Sequence, residues 1–317
     1  MSDNRRISFK DVTLTQLRSF SEVCRLGGYA AAAREVLLTT PAVWEQVRAL
    51  ERHYGRRLIQ RQASGVAATV EGQRLLEMVR PLLAGLDSAR DVLRQQADQL
   101  PEWLTLVTNL RVLTEEISRG LRAFQRRYAQ VRLRVIYTGN DVDQRIARGE
   151  ADVGFTLEPW PDMPYLASVE YEAAGAVDYL LVTPAQHPLL KRRPLTLRQI
   201  TAHDLVLGAV PSYSRGRVQE ILHRYDLANE IKVAVETSSD EYTLSCVRAG
   251  LGVGITVGTG HGHFYRGLGI RSLKRWFGTA RVGFLWKRGA HVPPVQRALA
   301  TAIQQCLSRV GSAHHVH

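Results

Sequence analysis

Between Leu38 and Gly55 the chain offers Thr40, Trp44, Glu45, Arg48 and Arg52 at the three- and four-residue spacing that puts side chains on one helical face. A hydroxyl, an indole, a carboxylate and two guanidiniums in that pattern suit hydrogen bonding to base edges and contact with phosphates. Thr39-Thr40-Pro41 marks the helix start, with a hydroxyl cap followed by proline in the first turn, where its missing N–H costs nothing. Gly55 stops the helix, and Val43, Val47 and Leu50 supply its inward face. Next come Arg56-Arg57-Leu58-Ile59-Gln60-Arg61 and Ala63-Ser64-Gly65-Val66, which read as strand, turn and strand: a basic wing.

A second kind of chemistry is spread over residues 102–317. Thr108-Asn109, Thr138-Gly139-Asn140, Pro211-Ser212-Tyr213-Ser214 and Thr237-Ser238-Ser239 each follow a strand-like run and open a helix or turn. Taken singly, each is a helix cap. Four in the same topological place describe a ligand site beyond the carboxyl ends of strands, with Thr108, Asn109, Thr138, Gly139, Asn140, Ser212, Tyr213, Ser214 and Ser238 as candidate contacts. Catalytic signatures are missing: there is no HExxH, GxSxG or P-loop spacing, and Gly250-Leu-Gly-Val-Gly254 lacks the dinucleotide pattern and its downstream acid. His261-Gly-His263 and His314-His315-Val-His317 lack partners for a defined metal site, and Cys24, Cys246 and Cys306 form no knuckle or disulfide framework. We therefore expect no enzyme, no cofactor and no resident metal.

The elements that must position these residues follow from periodicity. Leu14, Leu17, Phe20 and Cys24 define a first helix ended by Gly27-Gly28, and Tyr29 to Leu38 a short second one. Two short helices joined by a tight turn, the second presenting polar residues, have the geometry that fits a major groove. Thr69 opens a long helix toward Leu100, carrying Leu75, Val79, Leu82, Leu86, Ala89, Leu93, Gln96 and Leu100 at alternating spacings of four and three, with Pro81 inside. That is the seam of a coiled coil, to be filled either by the chain's own domain or by a second copy. Beyond Pro101, strands and helices alternate as in a mostly parallel sheet covered by helices.

The chain has 317 residues, 45% hydrophobic and 23% charged, with a formal net charge of +12. This is ordinary globular composition with a polyanion as an expected partner. No apolar run approaches the ~18–20 residues of a membrane span, and the N-terminus has no secretory core, so a cytoplasmic location is expected. Residues 1–70 hold 11 Lys+Arg against 6 Asp+Glu; from Tyr242 to His317 there are ten Lys+Arg and no acid. Such a run reads as a solvated basic face or as an anion-attracting cleft.

Leu17…Phe20, Ala32-Ala33…Leu37, Pro41-Ala42-Val43, Val47…Leu50-Glu51, Gly55…Leu58…Arg61 and Thr69…Gly72 together resemble the DNA-binding module of the LysR-type transcriptional regulators. The resemblance continues through His187-Pro188-Leu189, Leu195-Thr196-Leu197 and Ala249-Gly250-Leu251-Gly252. It implies an α/β protein with a winged helix-turn-helix over 1–70, a linker and dimerisation helix over 71–101, and a two-lobed effector domain over 102–317 like a type II periplasmic binding protein. The lobes would be 102–173 with 268–317, and 174–267, crossing near Tyr171–Ala174 and Gly267–Ser272. It further implies double-stranded DNA, an effector in the cleft between the lobes, and a homodimer or homotetramer; the helix N-termini and the acid-free, arginine-rich C-terminal quarter favour a small anion as that effector. DNA contacts would fall on Thr39, Thr40, Pro41, Trp44, Glu45, Arg48 and Arg61, with Arg52 added from the helix face. Trp44 and Glu45 depart from the pattern, which commonly has a small hydroxyl residue and a basic or neutral one there. The rival reading is a solute-binding or enzymatic α/β protein with an N-terminal oligomerisation module.

Overall fold

The computed structural model describes residues 12–95, 100–159, 165–210 and 212–311. The chain divides into two compact units, residues 1–97 with 288–291, and 98–287 with 292–317.

In the first unit α1 (Leu14–Leu26), α2 (Tyr29–Glu35) and α3 (Thr40–Tyr54) pack through Phe20, Val23, Val43, Val47 and Leu50, all fully buried. Burial of side chains this size stabilises the module by about 1.5–3 kcal/mol each. Thr13 closes a capping box on α1, and Gly27 ends it in the left-handed conformation. The second helix is shorter than periodicity predicts. It stops at Glu35, and the amide of Leu38 turns back to the carbonyl of Ala33, with Leu37 between them at φ 55°. The wing is a two-stranded antiparallel ribbon, β1 (Ile59–Gln62) and β2 (Gly65–Ala68).

Thr69 accepts from the amide of Gly72 and opens α4 (Val70–Gln95), which runs through Pro81. Gly72 has to be a glycine, because a Cβ there would lie 2.1 Å from the carbonyl oxygen of Leu58. The expected seam divides in two. Val79 is buried along with Leu76, Leu83 and Ala84, whereas Met78, Leu82 and Leu86 are 72%, 63% and 51% exposed. The side chain of Leu93 and the whole of Gln96 lie outside the described residues, so the helix is followed to Gln95 and not to Leu100.

Among the described residues the second unit is a nine-stranded sheet flanked by helices. Its elements are β3 (Trp103–Thr108), α5 (Thr114–Arg127), β4 (Arg132–Tyr137), α6 (Val142–Arg148), β5 (Val153–Leu157), β6 (Val169–Pro184) and α7 (Leu197–Thr201). They continue as β7 (Asp204–Gly208), α8 (Tyr213–Arg224), β8 (Lys232–Thr237), α9 (Asp240–Arg248), β9 (Val253–Gly258), β10 (Leu268–Ser272), α10 (Lys274–Phe277), β11 (Thr279–Lys287) and α11 (Pro294–Gly311). The order is β4-β3-β5-β11-β6-β9-β7-β8, with β10 also on β6. Pairing is parallel at both flanks but antiparallel through β6, β9, β10 and β11 in the middle, so the sheet is mixed rather than mostly parallel. The long strand β6 crosses from one flank to the other without a helix, and this produces the mixture.

The crossings come later in the chain than expected. Gly175–Asp178 still pairs with β11, and β10 pairs with residues 180–184 of β6. Asp178 is the pivot, opposite Thr279 on one side and Gly258 on the other, and it accepts a hydrogen bond from Ser272 at 2.7 Å. The return falls between Ser272 and Thr279, so Leu268–Ser272 belongs to the second half. Helices α5 and α11 approach closely because Gly120 has no side chain; a Cβ there would meet the Cα of Ile303 at 2.6 Å.

Candidate nucleic-acid interface and effector cleft

On α3 the side chain of Thr39 accepts from the amide of Ala42 at 3.3 Å, a cap of a kind that contributes about 1 kcal/mol. Thr40, Pro41, Trp44, Glu45 and Arg52 are exposed on the helix, and Arg48 is half-buried. The guanidinium of Arg48 lies over the Trp44 ring, 5.2 Å from its centroid, and pairs with Glu51 at 3.2 Å. Arg52 stands 3.7 Å from Glu45, so the carboxylate that departs from the family pattern has a cation beside it. Arg61 is exposed on β1, with Arg56 and Arg57 exposed just before it. The structure thus gathers all eight sequence-derived residues on one helix, its cap and the adjoining wing.

Glu51 is the residue that sequence reasoning placed in a motif without giving it a role. It is 9% exposed, and one carboxylate oxygen accepts from the amides of Leu58 and Ile59 at 2.9 and 3.3 Å while the other holds Arg48. A buried carboxylate that satisfies two amides and a guanidinium fixes the wing against the helix. The only signal in the sequence was an acid on the apolar side of the α3 pattern, next to Leu50.

In the second unit the polar clusters do sit at carboxyl ends of strands. Thr108 ends β3 and accepts from the amide of Leu110, while the amide of Thr138, just past β4, donates to the carbonyl of Thr108. Asn109 carries a buried side-chain oxygen without a hydrogen-bond partner. The hydroxyl of Thr138 donates to Asp141, Gly139 borders open space, and Asn140 is exposed. In the other half Ser212 caps α8, and its hydroxyl and that of Ser214 stand 3.1 and 3.4 Å from where a Cβ on Gly208, the last residue of β7, would be. Tyr213 starts α8; its side chain lies outside the described residues.

Ser238 is exposed, and the cap of α9 is its neighbour Ser239, which accepts from Tyr242 at 3.4 Å. Beneath that cap the structure reveals hydroxyls and an acid that sequence reasoning did not select. Thr237 and Thr243 share a 2.6 Å hydrogen bond, and Thr256 donates to Asp240 at 2.6 Å. Asp240 reaches solvent in part but is enclosed by protein, and that burial, opposed by the Thr256 hydrogen bond, raises its carboxyl to about 6.

Contacts between the two halves bring these clusters together. Arg111 pairs with Glu241 at 2.6 Å and stacks on the Tyr137 ring at 3.8 Å, which ties the segment after Thr108-Asn109 to the first turn of α9. Glu115 accepts from the His263 amide at 2.7 Å and lies 2.8 Å from its ring Nδ1; the amide, then the ring, hold the carboxyl below its usual range. His261 lies 3.8 Å from the buried Glu116. Both histidines therefore join the halves, and among the described residues no cluster could hold a metal ion.

Four arginines of the acid-free stretch are taken up by the fold. Arg248 donates to the carbonyl of Phe264, and Arg271 to those of Leu189 and Arg192. Arg281 pairs with Glu158 and Arg297 with Glu172. Acids and carbonyls from other segments of the chain fold onto these four side chains. The three cysteines are free, and burial pushes the Cys24 thiol up to about 12. No helix among the described residues is long and apolar enough to cross a membrane.

Residues 14–73 match the family model described as a bacterial regulatory helix-turn-helix protein of the lysR family, and 114–307 match the LysR substrate binding domain. The HTH-type transcriptional regulator CbbR of Xanthobacter flavus is 30% identical over 243 residues, 76% of this chain and 71% of that protein. Among solved structures, a cysteine-to-aspartate variant of full-length OxyR from Pseudomonas aeruginosa has the same fold, with a TM-score of 0.67 at 19% identity over 93% of this chain and 95% of that one. Full-length CbnR, solved with its target DNA, gives 0.53 at 19% identity, covering 93% and 100%. With the helix-turn-helix and the α/β unit both matched, the chain belongs to the LysR family: it is a DNA-binding transcriptional regulator with an effector-binding domain, and not an enzyme.

Proposed function

We propose that α3 enters the major groove of an operator, with Thr39, Thr40, Pro41, Trp44, Glu45, Arg48 and Arg52 along the base edges and phosphates and Arg61 of the wing on the flanking backbone. The observation that carries this reading is the exposed polar face of α3, capped by Thr39 and braced by Glu51 against a wing with three exposed arginines. Residues 1–70 act as the reader, 71–101 as the pairing helix and 102–317 as the sensor, in the cytoplasm. The stripe of Leu82, Leu86 and Ala89, exposed at the four-then-three spacing of a coiled coil, supports pairing with a second copy, since such side chains gain most from burial against their own kind. Two copies present two α3 helices, as a two-fold symmetric operator needs.

The effector is a small anion held at the ends of β3, β4, β7 and β8. Support comes from the amide-rich N-terminus of α9, the hydroxyls of Thr108, Ser212, Ser214 and Ser239, the unsatisfied Asn109, and Arg111 at the mouth. Asp240 opposes an anion when ionised and welcomes one when protonated, so binding takes up a proton. Bound effector changes the balance of contacts between the halves, and through it the spacing of paired α3 helices.

Fluorescence anisotropy of the full chain with duplexes enriched from a random pool, at two salt concentrations, tests the DNA reading. Affinity falls steeply with salt if α3 and the wing hold phosphates; salt-independent binding, or none, sinks it. Calorimetric titration with anionic and neutral metabolites tests the sensor, and heats from neutral compounds alone would overturn the anion.

A further inference from the structure

Two large apolar side chains stand uncovered on α3 and in the turn leading into it. Trp44 is 44% exposed on the second turn of α3, and Leu37, in the turn leading into that helix, is 90% exposed. Leu37 also sits at φ 55°, where glycine and asparagine are at ease and a branched aliphatic side chain is strained. The tight turn demands that backbone conformation, and the residue occupying it neither relieves the strain nor joins the core. Strain kept at an exposed position points to work done there.

Resting on the DNA-binding reading above, we infer that Leu37 and Trp44 form an apolar reading surface for the 5-methyl group of thymine in the major groove. The surrounding charge sets the partner class. Arg34, Arg52, Arg56, Arg57 and Arg61 are exposed on the same helices and wing, and Arg48 lies over the Trp44 ring, so this module carries exposed cations that favour a polyanion over an apolar protein surface. Within a duplex, thymine is the base that turns a methyl group into the major groove. An indole whose face is taken by Arg48 has its edge left for such a contact. Glu45, beside Arg52, cannot hold phosphate, which leaves this part of α3 to base edges rather than backbone.

The test uses full-length protein and duplexes it enriches from a random pool. Each thymine is replaced in turn by uracil, which removes only the methyl group. Wild-type protein binds the uracil duplex roughly fourfold more weakly at one or two positions of each half-site, the value for one methyl group taken out of water. Trp44→Ser binds the thymine and uracil duplexes alike at those positions. Leu37→Asn narrows the ratio while the melting temperature holds or rises, which separates reading from folding. Uracil duplexes bound as tightly as thymine by wild type, or a ratio unchanged in Trp44→Ser, overturns the inference. A variant that alters the sedimentation coefficient and not the ratio also overturns it, by showing the patch to be covered by protein. Enrichment of no duplex at all overturns the DNA reading beneath it, a distinct outcome.

Discussion

Two arginine-rich regions of this chain come to opposite ends. In the wing, Arg56, Arg57 and Arg61 stay exposed, and among the described residues no ion pair reaches them. In the acid-free C-terminal stretch, Arg248, Arg271, Arg281 and Arg297 are taken up by carbonyls and by acids from residues 158–172 and elsewhere. Local charge density predicts a binding surface only where the fold brings no counter-charge to it. The acid nearest the wing, Glu51, is spent on the Leu58 and Ile59 amides and on Arg48, whereas Glu158, just past β5, and Glu172, on β6, reach Arg281 and Arg297.

Removing the wing arginines together should have the largest effect. Arg56→Ala, Arg57→Ala and Arg61→Ala combined should weaken operator binding by about a hundredfold or more at low salt and flatten the salt slope by ~2–3, with the melting temperature unmoved. Glu51→Ala should cost about 2–3 kcal/mol in denaturant unfolding, because two amides lose their acceptor and Arg48 its partner.

The other unit should respond to pH. Asp240 keeps its proton up to about 6, against 3.8 for an ordinary aspartate. In that window the folded chain binds more protons than the unfolded one, so this group's contribution to stability falls as pH rises from 4 to 6. Anion affinity should rise by about three- to tenfold as pH falls from 7.5 to 5.5, and Asp240→Asn should remove both dependences in calorimetry. Arg271→Ala should lower stability by about 1–2 kcal/mol and leave the DNA salt slope unchanged. The smallest effect belongs to Arg111→Ala, under about 1 kcal/mol by thermal melting, since its partner Glu241 is also exposed to solvent.

The reader module was legible almost residue by residue. Caps, glycine stops and proline act within a few residues of themselves, so Thr39, Pro41, Gly27 and Gly55 located α1 and α3 without tertiary information. The shorter α2 escaped, because its helix-favouring residues run on past the point where the turn needs Leu37 in a left-handed conformation. In the sensor the strands and caps were legible, but which cap counted was not. Ser238 and Ser239 are equivalent on paper, and only the direction of the α9 axis assigns the cap to Ser239.

Local interactions along the chain, then, determined the helix-turn-helix, the wing and the alternation of strands and helices, because each depends on neighbours in sequence. The tertiary structure alone decided the antiparallel centre of the sheet, the crossing at Asp178, the split of the α4 seam and the enclosed acid at Asp240. Those features depend on which distant segment arrives alongside, and burial and electrostatic environment are properties of that arrival and not of composition.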